Sequence, residues 1–151
     1  MSDNAISEVI IHKEIDLIQS CINRMSKNSF SCKGWNLTLV AGAFALVPEN
    51  INKWYICIVI LCIDLCFWLI DSFFLLQEQL YRDKYEWVIK KRLEGNNDYL
   101  YDLDPYNKKM NLKDKKRNLF KTAISLTLLP MYGGIALLII MFIIIKLNGG
   151  I

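Results

Sequence analysis

The chain has 151 residues, 54% of them hydrophobic, and a formal net charge of only +3. That is one domain's worth of chain, yet its apolar residues gather into long runs instead of spreading as they do in a soluble core. Five cysteines without a C-x-x-C pair and a single histidine, His12, argue against metal or redox use, and no cofactor and no nucleic-acid partner are expected.

Residues 1–28 are read as a cytoplasmic amphipathic helix. Ile11, Ile15, Ile18, Ile22 and Met25 follow the 4-3-4-3 spacing of a heptad seam. The charges around it are mixed in sign, which favours packing against a protein helix over lying on a lipid surface. Ser26–Ser31 reads as a polar connector. Lys33, Gly34 and Trp35 then mark a membrane boundary: a basic residue, a pliable joint and an aromatic anchor.

The first span is placed at 29–48, with the small residues Ala41, Gly42 and Ala45 suited to close helix approach. Pro48–Lys53 reads as a tight turn. The second span, Trp54–Leu76, is long enough to cross a bilayer and has no breaker at its inner end. The helix is therefore expected to run on over 54–94, stopping at Gly95-Asn96-Asn97. Tyr81, Tyr85 and Val88 form an apolar stripe on that extension. Residues 95–121 are read as a cytoplasmic loop followed by a basic juxtamembrane cluster, Lys113, Lys115, Lys116 and Arg117, facing lipid headgroups or setting topology. The third span is placed at 122–146. Its 24 residues Thr122–Ile145 would extend about 36 Å as one helix, with a kink at Pro130.

Charge distribution gives the orientation. Four of the 18 Lys and Arg lie at or before Lys33, and twelve lie between Arg82 and Lys121. The positive-inside rule places both regions in the cytoplasm, with two spans between them and the C-terminus outside. The first 33 residues hold no apolar run of signal-peptide length, so the membrane assignment rests on internal spans.

Asp64, Asp71 and Glu78 are spaced by seven, which puts them on nearly one helix face. A carboxylate at the centre of a membrane helix costs on the order of 3 kcal/mol, so the stripe must face protein or water. Counting outward from the turn on two antiparallel arms sets Lys33 level with Asp71, and Asn36 or Thr38 level with Asp64. Two readings follow. The carboxylates are satisfied inside a helix bundle by Lys33, Asn36, Thr38 or the Trp35 indole, or they ring a wet pathway in an oligomer. No nucleophile motif, phosphate loop, H-E-x-x-H or Arg followed closely by His is present, so an enzyme is not expected. Asn36-Leu37-Thr38 matches the glycosylation sequon but lies inside a span.

Two stretches carry a resemblance. One is Ile18-x-x-x-Ile22-x-Arg24-Met25-x-x-Asn28-Ser29-Phe30-x-x-Lys33-Gly34-Trp35. The other is Phe67-Trp68-Leu69-Ile70-Asp71-Ser72-Phe73-Phe74-Leu75-x-x-Glu78-x-x-Tyr81-Arg82. Over about residues 15–85 the chain resembles the RipA-family octameric small membrane proteins of prokaryotes. It is similar in plan to the pore-forming accessory proteins of type VI CRISPR systems. The family pattern has Arg where Gln79 stands and Tyr-Tyr where Phe73-Phe74 stand. The resemblance implies a homo-oligomeric ring, an octamer, in the inner membrane, acting as a pore or membrane-perturbing effector in anti-phage defence once a cytoplasmic protein triggers it. It singles out Arg24, Asn28, Ser29, Lys33, Trp35, Asp71, Glu78 and Arg82 as a cluster at the cytoplasmic boundary.

The expected fold is thus an all-α membrane protein: an amphipathic N-terminal helix, a transmembrane hairpin with an extended second helix, and a third transmembrane helix, assembled as a ring. The alternatives are a non-conducting scaffold that anchors a cytoplasmic partner through residues 78–121, and a small ion-coupled transport subunit using Asp64.

Overall fold

A computed structural model describes the backbone of residues 2–46, 53–107 and 117–147, and side chains within those ranges. The turn expected at Pro48–Lys53 and the cations Lys113, Lys115 and Lys116 therefore lie largely or wholly outside the described residues. All regular structure among the described residues is helical: α1 (Ser2–Leu46), α2 (Lys53–Leu93), α3 (Leu119–Ala123), a π-helical turn (Leu129–Gly133) and α4 (Gly134–Leu147). One helix, Tyr55–Leu93, contains a stretch long and apolar enough to cross a membrane.

The chain divides into two compact units, one of Met1–Lys27 with Phe74–Arg117 and one of Asn28–Phe73 with Asn118–Ile151. In the first unit the heptad seam of α1 meets the stripe of α2. Ile18, Ile22 and Val88 are buried, with Tyr81, Tyr85 and Trp87 packed around them. The protein helix that the seam was expected to pack against is thus α2 of the same chain. The physical reason is proximity: two faces on one polypeptide meet without the entropic cost of association between molecules.

α2 ends where its sequence says it should. Gly95 takes φ 73°, Asn96 N–H donates to the Lys91 carbonyl and Gly95 N–H to the Arg92 carbonyl, which is the Schellman arrangement. The loop beyond is held by side chains that close on their own backbone. Asn96 accepts from Asp98 N–H, Asp102 from Asp104 N–H and Asp104 from Tyr106 N–H. Lys84, fully buried, donates to Asp102 at 3.3 Å and to the Asp104 carbonyl at 2.8 Å. Glu14 and Arg92 form a buried two-bond pair, each bond 2.8 Å. Arg92 also donates to the Asn96 and Asp98 carbonyls, and Glu14 accepts from Tyr101 N–H.

Burial opposes the charge on Asp102, but hydrogen bonds from Asn107 and Asp104 N–H, with the Lys84 ammonium, outweigh it and hold the carboxyl below its ordinary 3.8. A depressed folded-state value contributes stability that is present above about pH 3.8 and lost as pH falls through the folded value. We predict that Asp102→Asn flattens the acid limb of the stability profile below about pH 4. Denaturant midpoints measured across that range check it, and an unchanged limb refutes it.

The second unit departs from the expected elements at two places. Ser26–Ser31 is not a connector, because α1 continues through it without a break. The 122–146 segment is not one helix. α3 ends at Ala123, and the chain then turns with the Ser125 carbonyl accepting from both Leu128 and Leu129 N–H. Pro130 has no N–H to give to the carbonyl four residues back, and its ring crowds that carbonyl. The backbone relieves this by opening into a π turn before α4 starts. The core of this unit is Val40, Cys57, Ile60 and Ile139, with Ala43, Ile135 and Phe142 against it. Ala41 and Ala45 lie on the exposed side of α1, so the small-residue face makes no close approach among the described residues.

Candidate functional site

The polar centre of the second unit is built on Asp71, whose side chain is fully buried. α2 carries it, α1 brings Ser29 and Lys33, and the π turn brings Tyr132. Lys33 Nζ lies 2.6 Å from Asp71 Oδ2 and donates to Ser29 Oγ at 2.8 Å. Ser29 Oγ donates to Asp71 Oδ1. Tyr132 Oη donates to Asp71 Oδ2 at 2.9 Å. Three donors from two other elements therefore meet one carboxylate. A carboxylate removed from water needs this much compensation to stay charged. Lys33 stays a quarter exposed at its side chain, so its ammonium keeps some contact with the outside.

Tyr132 is held from its other side as well. Its ring stacks on Trp68, centroids 6.2 Å apart and planes 8° from parallel. Trp68 in turn donates its indole N–H to the Ala123 carbonyl at 2.9 Å, at the end of α3. Ser72 donates to the Trp68 carbonyl. The break in the third apolar segment thus has a use: it supplies a free carbonyl for Trp68 and turns Tyr132 inward.

Two helical turns away on α2, Asp64 is fully buried and accepts from Asn36 Nδ2 at 2.6 Å. Thr38 does not share that contact. Its hydroxyl donates to the Gly34 carbonyl one turn back on its own helix. Trp35 does not satisfy a carboxylate either, since it is 64% exposed. Asp64 and Asp71 both face the interior of the unit, and neither carboxylate reaches its surface. Around them stand outward-facing Phe30, Leu37, Leu69, Phe73, Leu138 and Ile144. The unit thus combines an apolar core around Val40, Cys57, Ile60 and Ile139 with a polar centre, and leaves large apolar side chains on its outside.

The residues grouped at the expected cytoplasmic boundary divide between the two units. Ser29 and Lys33 join Asp71, while Asn28 is half-buried and Trp35 points outward. Arg24, Glu78 and Arg82 belong to the other unit. There Glu78 is mostly buried and accepts from Arg82 Nε at 2.9 Å, and Arg24 is exposed with an Nη2 contact to Cys21 Sγ at 3.9 Å. Arg117, expected to face lipid headgroups, is instead fixed on protein. It makes two bonds to Asp83, at 2.5 and 2.7 Å, and one to Gln79 at 2.8 Å. The planar guanidinium meets the Asp83 carboxylate as a two-bond fork.

Sequence reasoning missed Tyr132, Trp68, Glu14, Arg92 and Lys84. One signal was present for Tyr132: it is the single polar ring in an apolar segment, placed between Pro130 and Gly133. Glu14 and Arg92 sit 78 positions apart, beyond the reach of any local periodicity. Among the described residues no group of three or more His, Cys, Asp or Glu side chains is placed to hold a metal ion. No protein-family model, no curated protein and no solved structure matches this chain.

Proposed function

We propose that this protein is a homo-oligomeric effector of the prokaryotic inner membrane that forms a pore or perturbs the bilayer when a cytoplasmic protein triggers it, in the service of anti-phage defence. One observation carries the membrane part of this reading: the second unit hides Asp64, Asp71 and Asn36 and turns Phe30, Leu69 and Leu138 outward. Lipid is the solvent in which that arrangement is favourable. The passages across it are 29–48, 54–76 and the broken 122–146 segment, with the N-terminus in the cytoplasm and the C-terminus outside.

The resemblance over residues 15–85 supports the ring, the trigger and the defence role. The outward Ala41 and Ala45 give neighbouring protomers a face for close helix contact. Because Asp64 and Asp71 are closed off within the unit, a wet pathway along them requires α1 and α2 to part there. Scaffolding is the second reading. It is favoured by the tightly held loop of the first unit, which turns Tyr99, Leu100, Tyr101 and Tyr106 outward as a surface for a cytoplasmic partner.

Mass measurement of the detergent-solubilised protein and a membrane-potential dye in cells expressing it with its trigger test the proposal together. The expected results are a particle of many copies, and a depolarisation that Lys33→Ala abolishes while the protein stays in the membrane fraction. A monomer or dimer, or depolarisation unaltered by Lys33→Ala and Asp71→Asn, refutes the pore reading.

A further inference from the structure

The contact between Asn36 and Asp64 is incomplete as it stands. Both side chains are fully buried. One bond joins them, Asn36 Nδ2 to Asp64 Oδ1 at 2.6 Å. The remaining oxygen of each, Asn36 Oδ1 and Asp64 Oδ2, has no donor among the described residues. Buried polar atoms without partners are rare and costly.

Among the described residues the surroundings offer these two oxygens neither a donor nor a counter-charge. From α1 the cation is Lys33, already 2.6 Å from Asp71 Oδ2. From α2 the other charge is Asp71, of like sign. From the π turn the titratable group is Tyr132, whose hydroxyl is donated to Asp71. Lys121 of α3 is exposed, and the described side chains of α4 include no titratable group. Lys33 and Tyr132 are therefore spent on Asp71, Thr38, Trp68 and Ser72 donate to backbone carbonyls, and Asp64 has only an amide.

A carboxylate and an amide leave two acceptors facing one shortage, and a single hydrogen cures both. We propose that Asp64 is held as the neutral carboxylic acid and that its proton closes a two-bond ring with Asn36, Asn36 Nδ2–H donating to Asp64 Oδ1 and Asp64 Oδ2–H donating to Asn36 Oδ1. The ring satisfies every oxygen of the pair and removes an uncompensated charge from an apolar unit. It makes this place a proton-binding site whose occupancy is linked to the packing of α1 on α2, independently of whether the protein forms a pore. Asp71, on the same helix face, is met by three donors, Ser29, Lys33 and Tyr132.

The two aspartates should then answer the same substitution differently. An Asn at 64 can donate and accept as the acid does, so Asp64→Asn should melt within about 2 °C of the parent chain, while Asp64→Leu, which orphans both ends of the Asn36 amide, should melt several degrees lower. Infrared spectra of the full chain in detergent supply a readout that stability alone does not. The parent protein at pH 7 should show a protonated-carboxyl carbonyl band that shifts in heavy water and is missing from Asp64→Asn. Absence of the band in the parent chain overturns the proposal, as does its persistence in Asp64→Asn. So does a melting temperature that sodium chloride, but not choline chloride, raises in the parent and not in Asp64→Asn, because a metal cation would then be the occupant.

Discussion

Replacing Asp71 by Asn lowers the stability of the detergent-solubilised protein by about 3 kcal/mol, the lower part of the range for breaking a buried ion pair by removing one partner. The lower part applies because Lys33 keeps a quarter of its side chain exposed and regains some hydration. For a chain of this size the melting temperature falls by about 6–12 °C. The amide offers one acceptor oxygen where the carboxylate offered two, and three donors compete for it. Tyr132→Phe removes only one neutral donor and costs about 1 kcal/mol. Pairing Lys33→Met with Asp71→Leu should cost less than the sum of the single changes, because the second change removes the group the first one orphaned. Additive losses would show that Lys33 and Asp71 do not act as a pair.

Arg92→Met costs more, about 4–5 kcal/mol, because both partners of its pair are buried and Glu14 is left with one backbone N–H as its only donor. The same change frees the Asn96 and Asp98 carbonyls, so the loop beyond α2 loses its fastening. Hydrogen exchange at the Tyr101 amide should accelerate in step with the loss of stability. Fluorescence of Trp87, whose ring lies 6.2 Å from that of Tyr99, follows unfolding of this unit. Arg92→Lys restores the charge without the fork and should recover only part of the loss. A variant that unfolds at the parent's denaturant midpoint would mean that the pair adds nothing to stability.

Contacts that depend on regular geometry were legible in the chain. A rise of 1.5 Å per residue on two antiparallel arms set Lys33 against Asp71 and Asn36 or Thr38 against Asp64; Lys33 and Asn36 make those contacts and Thr38 does not. Gly95-Asn96-Asn97 announced the end of α2, which lies at Leu93. What was not legible depends on tertiary bonds. Ser26–Ser31 looks like a connector by composition, yet serine and asparagine cost only tenths of a kcal/mol inside a helix, and Ser29 has Asp71 as a partner. Pro130 signalled a kink, but the size of the break was set by Trp68 and Tyr132, which take up what the backbone releases. Arg117 carried the signature of a headgroup contact. Only the fold reveals Asp83 waiting for it.

The π turn at Leu129–Gly133 also has a consequence for how the last helix is threaded. It accommodates one surplus residue, and each residue of a regular helix contributes about 100° of rotation. One residue fewer at Gly133 would close the turn to ordinary winding and leave Ile139 facing Val40 and Ile60, whereas one residue fewer inside α4 would swing every later side chain by about 100°. Length is therefore free to vary at the turn and fixed beyond it.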